Sequence, residues 1–356
     1  MITVLATIVV LGVLIFIHEF GHFLLAKLCG VQVEAFSLGF PPRLLHKQIG
    51  ETDYRLSVIP LGGYVKMLGE NPNDEVPPEL EHRSFQHHSL WHRFLIVLAG
   101  PAFNFFFAII ALFLVFTLAG IPYATTEIGE VTADAPAARA GLQKGDIILA
   151  VDGQKVKRWE ELSRKIKNAG ERPLTLEVKR GEKVWHLTVT PQRQEISDEL
   201  GSKISAVIIG IRASTSFGVD RVGPLAALKE GTTYSLGIAW VTLESIYKLL
   251  AREVPLKTLA GPIFIAKIAG QQAEAGVTYL IHFMAVLSVN LAMLNLLPIP
   301  ILDGGHLFFI TWEAILGKPV PIKQREMAQA LGLMLILGLM ALVLYQDILR
   351  LFAPNP

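Results

Sequence analysis

Cysteine is nearly missing from this sequence: Cys29 is the only one, so no disulfide can form within the chain and cysteine-rich metal frameworks are excluded. Charge is scarce as well. Charged residues make up 18% of the chain, and 32 Lys and Arg against 31 Asp and Glu leave a net charge of +1, which gives nucleic acid nothing to bind. No basic stretch precedes the first apolar run and no small-residue cleavage site follows it, so this segment does not read as a removable signal peptide and is expected to stay in the mature protein.

Apolar sequence is abundant instead. Hydrophobic residues account for 52% of 356 positions, and the mean hydropathy of +0.46 is too high for an ordinary water-soluble chain. Stretches from Ile2 to Leu28, Phe94 to Ile121, Tyr279 to about Leu302 and Ala328 to Leu349 each reach the ~20 residues needed to cross a bilayer. Lys27, Arg43, Lys47, Arg55, Lys66, Arg83 and Arg93 lie between the first two stretches, and Lys318, Lys323 and Arg325 lie between the last two. By the positive-inside rule both loops are cytoplasmic, which puts both termini and the long middle region outside the cytoplasm.

The first apolar stretch carries His18-Glu19-Phe20-Gly21-His22. Two imidazoles and a carboxylate inside a bilayer cost about 2 to 3 kcal/mol per charged group even on lenient scales, so a helix that keeps them needs a reason. On a helix, His18 and His22 lie one turn apart, separated by about 40° around the axis, and both rings can reach one Zn(II). Glu19 stands beside them, close enough to take a proton from water at the metal. The same spacing occurs by chance on solvated helix faces, but no such face exists in this segment.

A catalytic zinc usually takes three protein ligands, and Asp303 is the expected third. It follows Asn295-Leu-Leu-Pro298-Ile-Pro300 and precedes Gly304-Gly305. The prolines are expected to break the helix and the glycines to let the backbone turn closely around the metal. Alternatively, Asp303 is a helix-end aspartate. A fifth crossing at Thr233 to Leu250 would place Asp303 on the wrong side, so that stretch is read as an amphipathic helix lying on the outer surface or against the membrane core. Cys29 is read as a packing residue. His82, His87, His88 and His92 are read as a polar juxtamembrane surface, and His306 as a residue that could orient a ligand or the intermediate.

These motifs, with Gly62-Gly63-Tyr64-Val65-Lys66-Met67, Gly100-Pro101-Ala102-Phe103-Asn104 and Gly261-Pro262, resemble in order those of the site-2 proteases, and more closely their bacterial regulator-of-sigma-E-protease branch. The resemblance covers nearly the whole chain. It implies an intramembrane zinc metalloendopeptidase with one zinc per chain, which cuts single-pass membrane proteins within their transmembrane segments. Anti-sigma factors and remnant signal peptides are the implied substrate types, and the bacterial inner membrane is the implied location. Similar proteins are thought to use the asparagine here numbered Asn295 for handling substrate. Pro298, Pro300, Gly62, Gly63 and Tyr64 are candidates for the same work, since Tyr54 to Met67 is expected to form a hairpin around Gly62-Gly63 whose edge could pair with an unwound substrate. Asn104 is a weaker candidate of the same kind, or a link between the second and first helices.

Residues Glu127 to about Ser214 differ in composition and read as a separate domain. The run Ala135-Pro-Ala-Ala-Arg-Ala-Gly141 to Gly145-Asp146 and on to Asp152-Gly153 resembles the bacterial PDZ pattern. A helix is expected over Trp159 to Ala169, with strands over Leu174 to Val178 and Val184 to Val189. Ile209-Gly210-Ile211 is the candidate loop for a peptide C-terminus, and a purely steric filter is the other reading. The expected whole is a polytopic α-helical membrane protein with four transmembrane helices, a membrane-associated β-hairpin and an inserted extracytoplasmic α+β PDZ domain. Its divisions are 1–122, 125–214, 215–275 and 276–356. Two other functions are weighed: a membrane-anchored PDZ adaptor with a vestigial metal site, and a zinc transporter, for which the second and fourth helices offer almost no polar path.

Overall fold

A computed structural model describes residues 1–71, 74–197, 203–255 and 259–352. The remaining positions of the four divisions expected above lie outside the described residues. The chain forms two units: Met1–Val115 with Leu228–Tyr247 and Leu256–Pro356, and Phe116–Ala227 with Lys248–Pro255.

Four helices of the first unit are long and apolar enough to cross a membrane: α1 (Ile2–Leu28), α2 (Leu90–Ala119), α7 (Val277–Asn295) and α9 (Ile322–Phe352). Between them in sequence run α5 (Pro224–Leu250), α6 (Pro262–Ala275) and α8 (Asp303–Leu316). Helix α1 buries Ala6, Val10, Leu14, Gly21, His22 and Ala26. Small residues let its backbone approach its neighbours, as is usual where lipid removes the hydrophobic drive for helix association. A Cβ on Gly21 would come within 2.5 Å of the Ala99 carbonyl oxygen on α2, and one on Gly270 of α6 within 2.5 Å of Thr3 Oγ1 on α1.

The third apolar segment departs from expectation. Its helix stops at Asn295 rather than running towards Leu302. Pro298 and Pro300 have no N–H to continue the ladder, so residues 296–302 pass through tight turns closed by Ile299 N–H on the Leu297 carbonyl and Leu302 N–H on the Ile299 carbonyl. Asp303 then opens α8. Gly304 and Gly305 are therefore helical, and their role is closeness to backbone: an added Cβ would sit 2.2 Å from the Leu297 oxygen or 2.4 Å from the Ile299 oxygen. Both glycines keep the start of α8 pressed against the broken segment.

The hairpin is also placed differently. Strands β1 (Val33–Ile49) and β2 (Thr52–Met67) reverse at Gly50-Glu51, with Gly50 at a φ of +62°, and not at Gly62-Gly63. The ribbon folds over itself: Ala35, Phe36, Ser37 and Leu38 partner Lys66, Val65, Tyr64 and Gly63 on one side and Asp53, Tyr54, Arg55 and Leu56 on the other. Glu51 anchors the turn through Lys27 and Arg83, each at 2.6 Å. Gly62 and Gly63 serve close approach, to the Phe40 ring and to Glu19 respectively.

Helix α5 is longer than the expected amphipathic stretch and lies against α7. Tyr234 packs at a tilt against the His282 ring, and Thr242 donates to Asn290 Oδ1 at 2.7 Å. Equal sequence separation of these contacts on both helices means that α5 and α7 run alongside in the same direction. On α9, the carboxylate of Asp347, only 2% exposed, accepts the N–H groups of Gly261, Ile263 and Phe264 at 3.0 to 3.1 Å and so caps α6. A Cβ on Gly261 would fall 2.3 Å from that carboxylate, which accounts for glycine before Pro262.

The second unit contains β3 (Ile121–Ala124), β4 (Ile128–Val131), α3 (Pro136–Arg139), β5 (Ile147–Val151), β6 (Gln154–Lys155), α4 (Trp159–Ala169), β7 (Leu174–Arg180), β8 (Lys183–Val189), β9 (Gln192–Ser197), β10 (Lys203–Ile208), β11 (Ile211–Ala213) and β12 (Phe217–Asp220). Pairing of β3 with β12 brings its two chain ends together, and a four-stranded sheet in the order β6-β5-β7-β8 carries α4. Ile128, Ile148, Leu162, Ile166, Leu174, Leu176, Val178 and Ile209 fill the core. Strands β7 and β8 extend beyond the expected limits to a reversal at Gly181, with φ of +61°. Buried Asp146 would have its carboxyl raised by desolvation, but Arg180, at 2.7 Å to each oxygen, and the Gln143 N–H hold it below the usual range.

Two expectations follow. Asp347→Ala strips three N–H groups of their acceptor and should lower stability by roughly 1 to 3 kcal/mol, read as a lower Tm in detergent. A depressed Asp146 contributes stability above its unfolded pKa of about 4, lost as pH falls through the folded value. Arg180→Met should therefore raise the pH at which amides of β5 and β7 lose hydrogen-exchange protection; an unchanged acid profile would contradict this coupling.

Candidate metal centre

The imidazoles of α1 meet Asp303 at the start of α8. His18 Nε2 lies 3.1 Å from Asp303 Oδ2, His22 Nε2 lies 3.5 Å from Asp303 Oδ1, and the two Nε2 atoms are 3.3 Å apart. Among the described residues these three side chains form the group able to hold a metal ion.

The spacing suits zinc. Ligand atoms about 2.0 to 2.2 Å from a tetrahedral ion are separated by roughly 3.3 to 3.6 Å; the two imidazole nitrogens are 3.3 Å apart, and each faces its own oxygen of Asp303, at 3.1 and 3.5 Å. Asp303 Oδ2 is buried and accepts no hydrogen bond despite its nearness to His18. A carboxylate oxygen buried without a donor is costly unless a cation compensates it. The donor chemistry, two imidazoles and a carboxylate, is that of catalytic zinc sites.

Helix α2 makes the wall behind the imidazoles. His22 Nδ1 donates to the Ile96 carbonyl at 2.8 Å, which leaves the lone pair on Nε2, facing Asp303. Gly100, one turn further along, leaves room for both rings: its Cβ would lie 2.2 Å from His22 Nε2 and 2.8 Å from His18 Cε1. Asn104, another turn on, places its amide 3.3 Å from His18 Nδ1. Glu19 faces β2, where a Cβ on Gly63 would come 2.9 Å from its Cγ.

Asn295, at the end of α7, lies 3.5 Å from both nitrogens of His18, so it stands at the site. Pro298 and Pro300 belong to the broken segment under α8, with Pro300 against Gly305 and Gly332. Tyr64 is on β2, its hydroxyl held by Arg55 at 2.9 Å. Ile209, Gly210 and Ile211 belong to the other unit. Ile209 is a core residue, and the carbonyls of Ile209 and Gly210 are occupied by the N–H groups of Ala137 and Thr132. His306 lines a small cavity with Glu70, Arg93, Glu313 and Arg325. His88 and His92 pack ring to ring, and Cys29 closes α1. Sequence reading did not find the part played by Ile96, because a backbone carbonyl leaves no mark on residue type.

Two imidazoles and a carboxylate set among membrane-crossing helices form a ligand set of the kind catalytic zinc takes. Comparison with known proteins narrows the class: a family model described as Peptidase family M50 matches residues 6–339, and the chain belongs to that family. A protein of Agrobacterium fabrum named "Putative zinc metalloprotease" is 37% identical over 96% of this chain and 94% of its own. The regulator of sigma-E protease of Salmonella typhimurium is 32% identical over 97% of this chain and 98% of its own. Among solved structures, the PDZ domain of an SdrC-like protein from Listeria innocua is 25% identical, covering 26% of this chain and 96% of that one, with a TM-score of 0.21. The protein is a zinc-dependent intramembrane metalloprotease of the site-2 type.

Gly100→Ala tests the geometry of the wall. The added methyl must displace at least one imidazole, so zinc affinity should fall at least tenfold in a chelator competition while circular dichroism stays that of a folded helical protein. Unchanged affinity would mean that the rings are not confined as the structure has them.

Proposed function

We propose that His18, His22 and Asp303 hold one zinc ion per chain and that Glu19 is the general base of peptide-bond hydrolysis within the membrane. The observation that carries this reading is a pair of imidazole nitrogens 3.3 Å apart, each 3.1 to 3.5 Å from an oxygen of Asp303, in apolar surroundings, with one of those oxygens undonated. Zinc held there supplies a Lewis acid for the scissile carbonyl and allows water to ionise near neutral pH. Glu19 accepts the proton that water gives up as its oxygen bonds to the carbonyl carbon, and passes it to the amide nitrogen as the C–N bond breaks. His22, with its proton committed to Ile96, keeps its position throughout.

A transmembrane helix hides its carbonyls, so substrate must enter unwound. The strand segment Gly63 to Lys66 pairs with Ala35 to Leu38 on one edge and with no second strand among the described residues, while the Val65 N–H reaches the Glu19 carboxylate. Its other edge suits strand addition by an extended substrate, with Gly62 and Gly63 letting backbones come close and Tyr64 fixed by Arg55. Asn295, beside His18 at the end of a helix broken by Pro298 and Pro300, offers an amide to backbone groups freed by unwinding.

Single-pass membrane proteins, of the anti-sigma-factor or remnant-signal-peptide type, are the substrates this reading favours, in keeping with the name of the Salmonella relative. Basic residues between α1 and α2 and between α8 and α9 support a site near the cytoplasmic face of an inner membrane, with both termini and the second unit outside. We read the second unit as a PDZ domain. The carbonyls of Ile209 and Gly210 are already bonded, but a C-terminal carboxylate accepts and needs N–H groups, so Ile209, Gly210 and Ile211 stay the candidate loop for a peptide end, with a steric filter as the other reading.

Purified wild type and Glu19→Gln, assayed for zinc content and for cleavage of a detergent-solubilised model transmembrane substrate, test the assignment. The variant should keep about one zinc per chain and lose cleavage by at least a hundredfold. A wild type without zinc would favour a membrane-anchored adaptor, and a variant that cuts equally well would remove Glu19 from the role of base.

A further inference from the structure

Each metal-facing imidazole must present a lone pair on Nε2, and a neutral imidazole does so only when its proton is on Nδ1. For His22 the Ile96 carbonyl, 2.8 Å from Nδ1, can only accept and so decides the matter. For His18 the partner is the amide of Asn104, 3.3 Å from Nδ1. An amide can donate or accept, and the choice has opposite consequences. If its nitrogen donates to Nδ1, the His18 proton is forced onto Nε2, where it points at Asp303 and His22 and removes a ligand lone pair. If its oxygen accepts from Nδ1–H, Nε2 is left free for metal.

The metal requirement favours acceptance. Asn104 is 0% exposed, so no solvent competes for its amide, and with its nitrogen turned to His18 its Oδ1 has no partner. A half-turn of the side-chain amide exchanges the two atoms and gives that oxygen the Nδ1 proton of His18, the one arrangement that leaves Nε2 free for a metal. Its backbone is held as well: the Asn104 carbonyl accepts from Ser288 Oγ on α7 at 2.8 Å, so the residue is fixed between two helices. Asn295 does not compete for this task, since it is 3.5 Å from both His18 nitrogens and selects neither. Full burial also keeps Asn104 from touching substrate.

We infer that Asn104 is a positioning residue whose Oδ1 accepts the Nδ1 proton of His18, making α2 the support that sets the tautomer of both imidazoles. This rests on the reading of His18, His22 and Asp303 as zinc ligands. Ile96, Gly100 and Asn104, spaced by one turn each along α2, then form one functional face: an acceptor, a gap and an acceptor.

The experiment measures zinc dissociation constants by competition with a chromogenic chelator on full-length wild type, Asn104→Leu and Asn104→Asp in detergent, with cleavage followed against added zinc. Leucine has nearly the same size and no acceptor; zinc affinity should drop roughly 10- to 100-fold, the usual loss for a group that orients a ligand, and cleavage should recover as zinc is raised. Aspartate can only accept when ionised, and should hold zinc within about threefold of wild type. Equal affinity of the leucine variant and wild type would overturn the inference while leaving the ligand assignment standing, as would loss of zinc from the aspartate variant, which marks Asn104 as a donor. If wild type itself binds no zinc, the ligand reading fails and takes the inference with it.

Discussion

Much of the first unit answers to one constraint: three candidate metal-binding groups, His18, His22 and Asp303, meet within about 3.5 Å of each other among apolar helices. Each group comes from a separate requirement. The histidines need one helix turn, the aspartate needs a chain reversal after α7, and the pair must be pressed against α2. Glycines make this possible wherever backbone meets backbone or ring, at Gly21 and Gly100 on the α1–α2 contact, at Gly63 beside Glu19, and at Gly304 and Gly305 under the broken segment. In lipid, packing of this closeness is itself the main source of helix association.

The broken segment is the second consequence. A continuous helix through residues 296–302 would satisfy its own backbone, but it could not bring Asp303 round to α1. Prolines remove the ladder, and the freed groups are satisfied in turns and by the first N–H groups of α8. On one side this irregular backbone packs against Gly304 and Gly305 of α8 and Gly332 of α9. The same economy governs α6, whose N-terminal N–H groups are capped by Asp347 from α9.

Polar groups outside the metal triangle serve the helix contacts. Thr242 with Asn290 and Tyr234 with His282 hold α5 to α7. They explain how a helix carrying Glu230, Glu244 and Lys248 can be part of the first unit without being apolar enough to rank as a crossing.

The candidate metal centre was largely legible in the residues, because the pattern that proposes it is local: a histidine pair on one helix face needs only the helical period, and an aspartate beside prolines and glycines stands out in an apolar run. Hydropathy likewise determined the membrane-crossing helices, and strand–turn patterning determined α4 and the β7–β8 pair. Tertiary structure alone decided what depends on distance between separate segments. It moved the hairpin reversal from Gly62-Gly63 to Gly50-Glu51, because glycine marks both turns and close contacts and residue type does not tell them apart. It made Gly304-Gly305 part of a helix, set the Ile96 carbonyl behind His22, and brought Asn104 to the far nitrogen of His18. Such contacts are made by backbone atoms or by single side chains from remote helices, and no periodicity along one stretch of chain records them.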